Sequence, residues 1–281
     1  MSNHQTKDVS QSKEVTYKGS TLPIKIFNFD DFCANPSICM IAKRASGKSW
    51  LVRDILKHFS HLPGGMIISP TERMNQFYGK FIPDSYIHHE YSTEILEKLL
   101  RRQKKISHKC IQKYEQGKKV DPRAFLVMDD CLSSKGTWMN DRPVLDIFFN
   151  GRHYNLTFIL TMQFPLGIKP ELRCNFDYIF LLSEDFFSNQ KRLYEHYAGM
   201  FPSFTFFRQV FLQLTENFGS MVIINRGNRG DILDKVCYYK SNDVNIRSMG
   251  CPQYIKYHEK NYDWNWNDSE KFDINKIDKK K

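Results

Sequence analysis

Residues 38–50 read Ile-Cys-Met-Ile-Ala-Lys-Arg-Ala-Ser-Gly-Lys-Ser-Trp, a short apolar strand that runs directly into a phosphate-binding loop. The loop pattern is a small residue, four variable residues and then Gly-Lys-Ser/Thr, and residues 42–49 match it. In such a loop, Gly47 lets successive backbone N–H groups face a phosphate, Lys48 reaches the terminal phosphates, and the Ser49 hydroxyl joins a magnesium shell. The stretch therefore predicts a nucleotide site at a strand-to-helix turn.

One position departs from the strict loop pattern, because Ala42 stands where glycine is usual. Its methyl group fits only if the residue keeps a negative φ. An ordinary strand-to-helix turn that binds nothing is the alternative interpretation. If the loop interpretation holds, the predicted nucleotide-binding residues are Ala42, Lys43, Arg44, Ala45, Ser46, Gly47, Lys48, Ser49 and Trp50.

A second apolar run, residues 125–128, ends in two carboxylates, Asp129 and Asp130. Buried strands of a parallel sheet have this composition, and α/β sheets bind ligands at the carboxyl ends of such strands. Asp129 then suits the magnesium shell together with Ser49, and Asp130 suits the general base that polarises a water against the γ-phosphate. Glutamate usually has the second role in ATPases of this type. Taken alone, Asp-Asp is also common in solvated turns.

A third strand is predicted over residues 157–163, where the apolar pattern gives way to Thr161 and Gln163. An amide at that point can orient the attacking water and sense the γ-phosphate. The strand follows the carboxylate strand in the sequence, but in the additional-strand class of P-loop ATPases it lies between the other two. The sequence therefore predicts that Gln163 lies against the phosphates.

Four segments together resemble the genome-packaging ATPases of nucleocytoplasmic large DNA viruses, relatives of the FtsK/HerA translocases; they are AKRASGKS, FLVMDD, NGRHYNLTFILTMQFP and LRCNFDYIFLL. The resemblance covers roughly residues 24–240, and its most specific piece is Gly-Arg-His-Tyr-Asn at residues 151–155. It implies ATP and Mg²⁺ as cofactors, a homo-oligomeric ring, sequence-independent binding of double-stranded DNA, and capsid vertex proteins as candidate partners.

Hydrolysis by motors of this kind is usually completed by an arginine from the neighbouring subunit. The resemblance makes Arg152 the first candidate, because it lies in the Gly-Arg-His-Tyr-Asn segment. Arg173 is a second candidate, and Arg44, inside the loop, could act on the γ-phosphate of its own subunit. The predicted catalytic residues are therefore Lys48, Asp130, Gln163 and Arg152, and the predicted metal ligands are Ser49 and Asp129.

Alternating strands and helices predict an α/β fold with a doubly wound, mostly parallel sheet. Residues 1–22 are polar and are expected to be a disordered tail, residues 23–248 to be the ATPase domain, and residues 249–281 to be a charged tail that is disordered or docks on a partner. Beyond the three strands above, helices are predicted at 47–59, 93–116, 143–149, 186–198 and 204–217, strands at 66–69 and 178–182, and a hairpin from 221–224 and 236–239.

Composition limits the classes of protein that fit. With 281 residues, 41% of them apolar, the chain can bury a full α/β core. No apolar run approaches the roughly 18 residues of a membrane span, and the polar start is unlike a signal peptide. We therefore expect no membrane insertion and a location in the host cytoplasm or the virion. The 7 cysteines never form Cys-x-x-Cys, which favours reduced thiols over disulfides or a zinc site.

The formal net charge is +10, and much of it lies between Arg101 and Arg123, where nine Lys/Arg face only Glu115 and Asp121. Such a basic stripe attracts phosphates through counterion release without reading sequence, as a DNA motor requires. A solvated helix face is the alternative. The Arg/Gly-rich turn at 225–230 is a second candidate for DNA contact.

These features predict an ATP-hydrolysing motor that translocates double-stranded DNA, packaging a viral genome into the capsid. Three alternatives remain open: a P-loop phosphotransferase such as a nucleoside or nucleotide kinase, a DNA translocase without a packaging role, and a scaffold with a degenerate site. The carboxylate strand followed by a strand that ends in Gln163 favours hydrolysis over phosphate transfer.

Overall fold

The computed structural model describes residues 12–131, 138–227 and 230–264. The strands, in chain order, are β1 (Ser12–Tyr17), β2 (Ser20–Lys25), β3 (Ser37–Ile41), β4 (Gly65–Ile68), β5 (Ile87–His88), β6 (Ala124–Asp129), β7 (Leu156–Met162), β8 (Tyr178–Leu181), β9 (Gly219–Ile224) and β10 (Val236–Lys240). The α-helices are α1 (Lys48–His58), α2 (Glu72–Asn75), α3 (Thr93–Glu115), α4 (Arg142–Asn150), α5 (Pro170–Arg173), α6 (Phe187–Tyr197), α7 (Phe204–Leu214), α8 (Ile232–Lys235) and α9 (Pro252–Asn261).

Eight strands form one sheet in the order β10-β9-β8-β3-β7-β6-β4-β5. The pairs from β8 to β5 are all parallel, whereas β9 and β10 add an antiparallel hairpin at one side. Every residue of β6 and β7 is buried, because helices cover both faces of the sheet. The predicted doubly wound, mostly parallel α/β fold is confirmed.

The position of β7 matters most for the site. It pairs with β3 on one side and with β6 on the other, with Met162 opposite Ile41 and Thr161 opposite Asp129. This is the order of the additional-strand class, and it brings the ends of the three predicted strands together. We call this side of the sheet, where the parallel strands end, the carboxyl edge, and the opposite side the amino edge.

The predicted disordered tail is wrong for residues 12–22, which form the β1–β2 hairpin. Lys18 and Gly19 both have positive φ, as a two-residue turn between twisted strands requires. Val15 and Ile24 are buried, and the Gln213 side chain of α7 holds the Thr16 backbone N–H and C=O, both at 2.9 Å. The alternation of apolar residues around Lys-Gly was the signal for this hairpin. Residues 1–11 lie outside the described residues.

The C-terminal tail is likewise ordered through α9, contrary to the disorder favoured for it. Pro252 begins the helix, where its missing N–H costs nothing. Tyr254 is buried; its hydroxyl donates to the carbonyl of Gly65 at 2.9 Å, and its ring stacks on Tyr86. A β-carbon on Gly64 would lie 2.6 Å from the Tyr254 ring, so the fit requires glycine there. Trp266 and the rest of the tail beyond residue 264 lie outside the described residues.

The other predicted elements match within one or two residues, except that α7 ends at Leu214 rather than at 217. The polar loop predicted for 131–141 lies partly outside the described residues, as do residues 228–229 of the Arg/Gly-rich turn. No helix in the described part of the chain is both long and apolar enough to cross a membrane.

Candidate active site

The loop after β3 has the backbone that phosphate binding requires. Ala42 keeps a negative φ, so its methyl group causes no strain, and its N–H donates to the Met162 carbonyl at 2.9 Å. The left-handed conformations fall on Ala45 (φ 59°) and Gly47 (φ 95°). The Ser46 hydroxyl is buried and donates to the Lys43 carbonyl at 2.7 Å, which closes the loop on itself. Ser46 therefore supports the loop, while the other eight predicted residues line the pocket.

Lys48 begins α1 and points at the two carboxylates at the end of β6, Asp129 and Asp130. Its Nζ lies 3.1 Å from Asp129 Oδ1 and also forms an ion pair with Asp130 Oδ2. The three side chains are only 11–16% exposed, so the pairs are largely shielded from solvent. Lys48 thus supplies the positive charge that two neighbouring carboxylates need when no other cation is bound.

Asp130 and Gln163 are in direct contact. Gln163 Nε2 donates to Asp130 Oδ2 at 3.0 Å, while Asp130 Oδ1 is buried and has no hydrogen-bond partner among the described residues. The Asp130 backbone is left-handed (φ 52°), and its N–H donates to Thr161 Oγ1 at 3.2 Å. A buried acceptor without a partner is costly in free energy. Both side chains line the pocket beside the loop, where a carboxylate and an amide can hold one water between them.

The Asp129 carboxylate is held by side chains whose role was not predicted from the sequence. Thr161 Oγ1 donates to Asp129 Oδ1, and Ser69 Oγ donates to Oδ2 at 3.4 Å. Tyr78 is also buried next to this carboxylate; burial, followed by the charge of Asp129, raises the pKa of Tyr78 well above its ordinary value. The hydroxyl therefore stays protonated and can act as a donor. Because side chains alternate between the two faces along a strand, Thr161 and Gln163 lie on the same face. This was the one feature of the sequence that could have indicated a role for Thr161 at the site.

A pocket of about 970 Å³ opens over the loop and the carboxylates. Its far wall is formed by residues 71–78, a segment that Glu72 holds in place. Glu72 is buried and accepts hydrogen bonds from the Phe77 N–H at 3.1 Å and the Gly79 N–H at 2.7 Å. The volume and the mixture of polar and apolar lining are typical of sites for small ligands of nucleotide size.

The residues present fit a magnesium nucleotide. Mg²⁺ is commonly bound by one or two carboxylates with the remaining ligands from phosphates and water, and Asp129 and Ser49 offer one carboxylate and one hydroxyl. Within the described residues, no group of three or more His, Cys, Asp or Glu side chains is placed to hold a metal ion by itself.

Arg152 lies at the amino edge, just before β7 begins. It pairs with Asp177, whose side chain is 2% exposed, whereas that of Arg152 is 49% exposed. Arg226 reaches the same carboxylate oxygen at 3.3 Å, and the other oxygen accepts the Ser37 N–H at 2.9 Å. The seven residues of β7 separate Arg152 from Gln163 by about 20 Å, so Arg152 cannot reach the nucleotide loop of its own chain.

The other two candidate arginines differ in their surroundings. Arg173 Nε donates to the Ile168 carbonyl at 2.8 Å, and its guanidinium lies over the Tyr197 ring, which indicates a structural role. Arg44 is exposed and lines the nucleotide pocket. Of the three, Arg44 is therefore the one positioned to act within its own subunit.

The fold and the site define the class of the protein as a P-loop ATPase with an additional strand between the loop strand and the carboxylate strand. The chain belongs to the poxvirus A32 family, because the family model described as "Poxvirus A32 protein" matches residues 25–188. This membership confirms the resemblance found in the sequence.

Relatives from two viruses match over most of the chain. An uncharacterized protein of Acanthamoeba polyphaga mimivirus is 50% identical over 236 residues, which cover 84% of this chain and 83% of that protein. An uncharacterized protein of Invertebrate iridescent virus 6 is 34% identical over 229 residues, which cover 80% and 85% of the two chains.

Solved structures share the fold. The genome packaging NTPase B204 from Sulfolobus turreted icosahedral virus 2, in complex with ATP-gammaS, matches with a TM-score of 0.52 at 14% identity, covering 75% of this chain and 99% of that one. The same protein in complex with AMPPCP also gives a TM-score of 0.52. At this identity the likeness concerns the fold alone.

Proposed function

We propose that this protein is an ATP-hydrolysing motor that translocates double-stranded DNA and packages a viral genome into the capsid. The observation that carries the proposal is the contact of Lys48, Asp129, Asp130 and Gln163 at the ends of three adjacent strands. Membership of a viral family and the fold shared with a genome packaging NTPase support the choice of DNA as the cargo. The site of action would be the host cytoplasm or the virion.

The chain's own groups divide the work of hydrolysis. When ATP binds, Lys48 exchanges its carboxylate partners for the terminal phosphates, and the loop N–H groups hold the rest of the phosphate chain. Mg²⁺ held by Ser49 and Asp129 would neutralise charge on the phosphates. Asp130 accepts a proton from the attacking water, and Gln163 orients that water through the amide that contacts Asp130.

The Asp130–Gln163 pair also favours hydrolysis over the phosphotransferase alternative. A kinase must exclude water and bind a second substrate at the γ-phosphate. Here a carboxylate and an adjacent amide are hydrogen-bonded to each other and both line the pocket beside the loop, where together they can position a water. Measuring ATP turnover with and without duplex DNA tests the proposal; a rate that duplex DNA does not change would contradict the motor.

Separate roles for the two carboxylates predict different defects. Asp130→Asn should bind ATP and Mg²⁺ normally but hydrolyse ATP about 10²- to 10⁴-fold more slowly, because the general base is removed. Asp129→Asn should instead raise the Mg²⁺ concentration needed for half-maximal turnover. Steady-state rates over a Mg²⁺ titration distinguish the two, with the exposed Asp243→Asn as the control. Full turnover by Asp130→Asn would move the base elsewhere.

The position of Arg152 at the amino edge supports the proposal of a ring. Because Arg152 cannot reach its own loop, it contributes to catalysis only if the amino edge of one subunit faces the carboxyl edge of the next. Such a heterologous contact closes into a ring when its rotation allows. Each nucleotide site would then be completed in trans.

DNA contact is proposed for the basic end of α3. This helix extends for about 34 Å, and its last three turns and the segment after it expose Lys105, Lys109, Lys118 and Lys119. Arg123 contributes less, because Asp121 binds its guanidinium through two oxygens. Gln103 of α3 donates to the Tyr154 carbonyl, so the helix lies against the segment that carries Arg152.

Replacing these four lysines with glutamine should leave basal hydrolysis unchanged and reduce its stimulation by DNA. The slope of log affinity for DNA against log salt should become shallower by up to about 0.9 for each DNA phosphate that the variant no longer binds. The matched control replaces Lys18, Lys57, Lys80 and Lys191, four exposed lysines elsewhere. An unchanged slope in the first variant, or an equal change in the control, would contradict DNA binding by α3.

A further inference from the structure

The segment between α7 and β9 has an unusual backbone next to the nucleotide loop. Asn217 and Phe218 are consecutive non-glycine residues with φ of 52° and 63°. This conformation costs free energy for residues with a β-carbon, and for a bulky residue such as Phe218 it is a genuine outlier. Strain of this kind persists only where the surrounding structure imposes it, and it concentrates at functional sites.

The surroundings fix this segment on both sides. The Thr215 hydroxyl donates to the Phe211 carbonyl at 2.8 Å and ends α7. A β-carbon on Gly219 would lie 2.3 Å from the Leu214 carbonyl oxygen, so the chain must return close to the helix it has just left. Phe218 is therefore held at the tip of a tight turn rather than on a flexible loop.

Phe218 is held there with its ring in solvent. The residue is 64% exposed, and it lines the nucleotide pocket. The ring also lies against the loop, since a β-carbon built on Gly47 would be 3.5 Å from it. An ordinary polar turn would serve folding equally well at this position. Folding therefore does not explain a strained backbone that keeps an apolar ring exposed beside a phosphate loop.

Sheet order shows which part of a nucleotide reaches this ring. β9 starts and β10 ends at the carboxyl edge, with Gly219 opposite Lys240, so Phe218, Lys240 and Ser241 line one side of the loop. The carboxylates lie at the end of β6, on the other side of β3. Four strand spacings, about 19 Å, separate β9 from β6, and the loop lies between them. A nucleotide whose γ-phosphate faces Asp130 therefore extends its other end toward Phe218.

We propose that Phe218 is the stacking platform for the base of the bound nucleoside triphosphate, with Lys240 and Ser241 facing the sugar. The proposal rests on the proposed function of the loop as an ATP site. Stacking on an aromatic ring accepts every base and favours the larger purines, so the platform supplies affinity with modest selectivity.

A second aromatic group in the pocket is a weaker candidate. Trp50 and Phe77 lie on the carboxylate side, and the Arg53 guanidinium already lies over both rings, 5.8 Å and 5.1 Å from their centroids. One face of each ring is therefore engaged within the protein, and Trp50 is 48% exposed whereas Phe218 is 64% exposed.

The test distinguishes the contribution of the base to binding from that of the phosphates. ATP, CTP and tripolyphosphate, each with Mg²⁺, are titrated into the full chain by calorimetry. Wild-type protein should bind ATP more tightly than CTP or tripolyphosphate. Phe218→Ala should weaken ATP binding about tenfold and leave tripolyphosphate binding unchanged, and Phe218→Trp should restore ATP binding. Phe186→Ala, which removes a phenylalanine that is 71% exposed outside the pocket, should change neither.

Three results would overturn the platform. Equal losses of ATP and tripolyphosphate binding in Phe218→Ala would mean that the ring supports the loop. Unchanged ATP binding in Phe218→Ala, together with a selective loss in Trp50→Ala, would put the base on the carboxylate side. Wild-type protein that binds tripolyphosphate as tightly as ATP would have no base site at all. Failure of the loop as an ATP site differs from these, because wild-type protein would then bind none of the three ligands.

Discussion

Replacing Lys48 with alanine is expected to abolish ATP hydrolysis and to weaken nucleotide binding severely. The side chain supplies the charge that meets the terminal phosphates, and no other cation in the described residues lies against both Asp129 and Asp130. The measurement is turnover at saturating Mg²⁺ and ATP, together with direct binding of ATP. Lys57→Ala, at the exposed end of the same helix, is the matched control and should behave as wild type.

The structure adds a cost in stability that the sequence did not indicate. An exposed loop lysine would be replaced without effect on folding, but the Lys48 side chain is only 16% exposed and neutralises two carboxylates. Its removal leaves both without a counter-charge, which should lower the free energy of unfolding by about 1–3 kcal/mol. Addition of Mg²⁺ should recover part of this loss in thermal unfolding. Wild-type hydrolysis by Lys48→Ala would refute the assignment of the site.

Local patterns were enough to predict the centre of the site. The loop motif fixes a strand and the start of a helix, and the apolar runs that end in Asp129 and Gln163 are long enough to identify buried strands. Because parallel strands end at one edge, these side chains had to meet once β7 was inserted between β3 and β6. That insertion is a property of the additional-strand class of P-loop ATPases and is not encoded in the three strand segments themselves.

Groups that act through tertiary contacts could not be predicted from the sequence. Tyr78 reaches Asp129 from a loop after β4, and Phe218 reaches Gly47 from a turn before β9, each across a large sequence separation. No periodicity encodes either contact. The β1–β2 hairpin had a local signal around Lys-Gly, but it and α9 are short polar segments. Such segments become ordered only when a few apolar residues, such as Val15 and Tyr254, pack on the rest of the protein.

Arg152→Ala should bind ATP but hydrolyse it about a thousandfold more slowly, because the charge that stabilises the transition state is removed while the loop and carboxylates remain. The fold should survive, since Arg226 and the Ser37 N–H still satisfy the buried Asp177. Arg226→Ala is the matched control, because it removes the other arginine from the same carboxylate. A defect as large in Arg226→Ala would indicate that both changes act by disturbing Asp177.

Mixing distinguishes action in trans from action within one subunit. An Arg152→Ala subunit keeps its own loop and can use the arginine of a Lys48→Ala neighbour, so an equal mixture of the two inactive proteins should recover up to about a quarter of wild-type turnover. That fraction follows because half of the sites carry an intact loop and half of those have a neighbour with Arg152. Native mass measurement must show rings that contain both variants. Mixed rings with no more activity than either protein alone would exclude Arg152 in trans and favour Arg44, the arginine that lines the pocket of its own subunit.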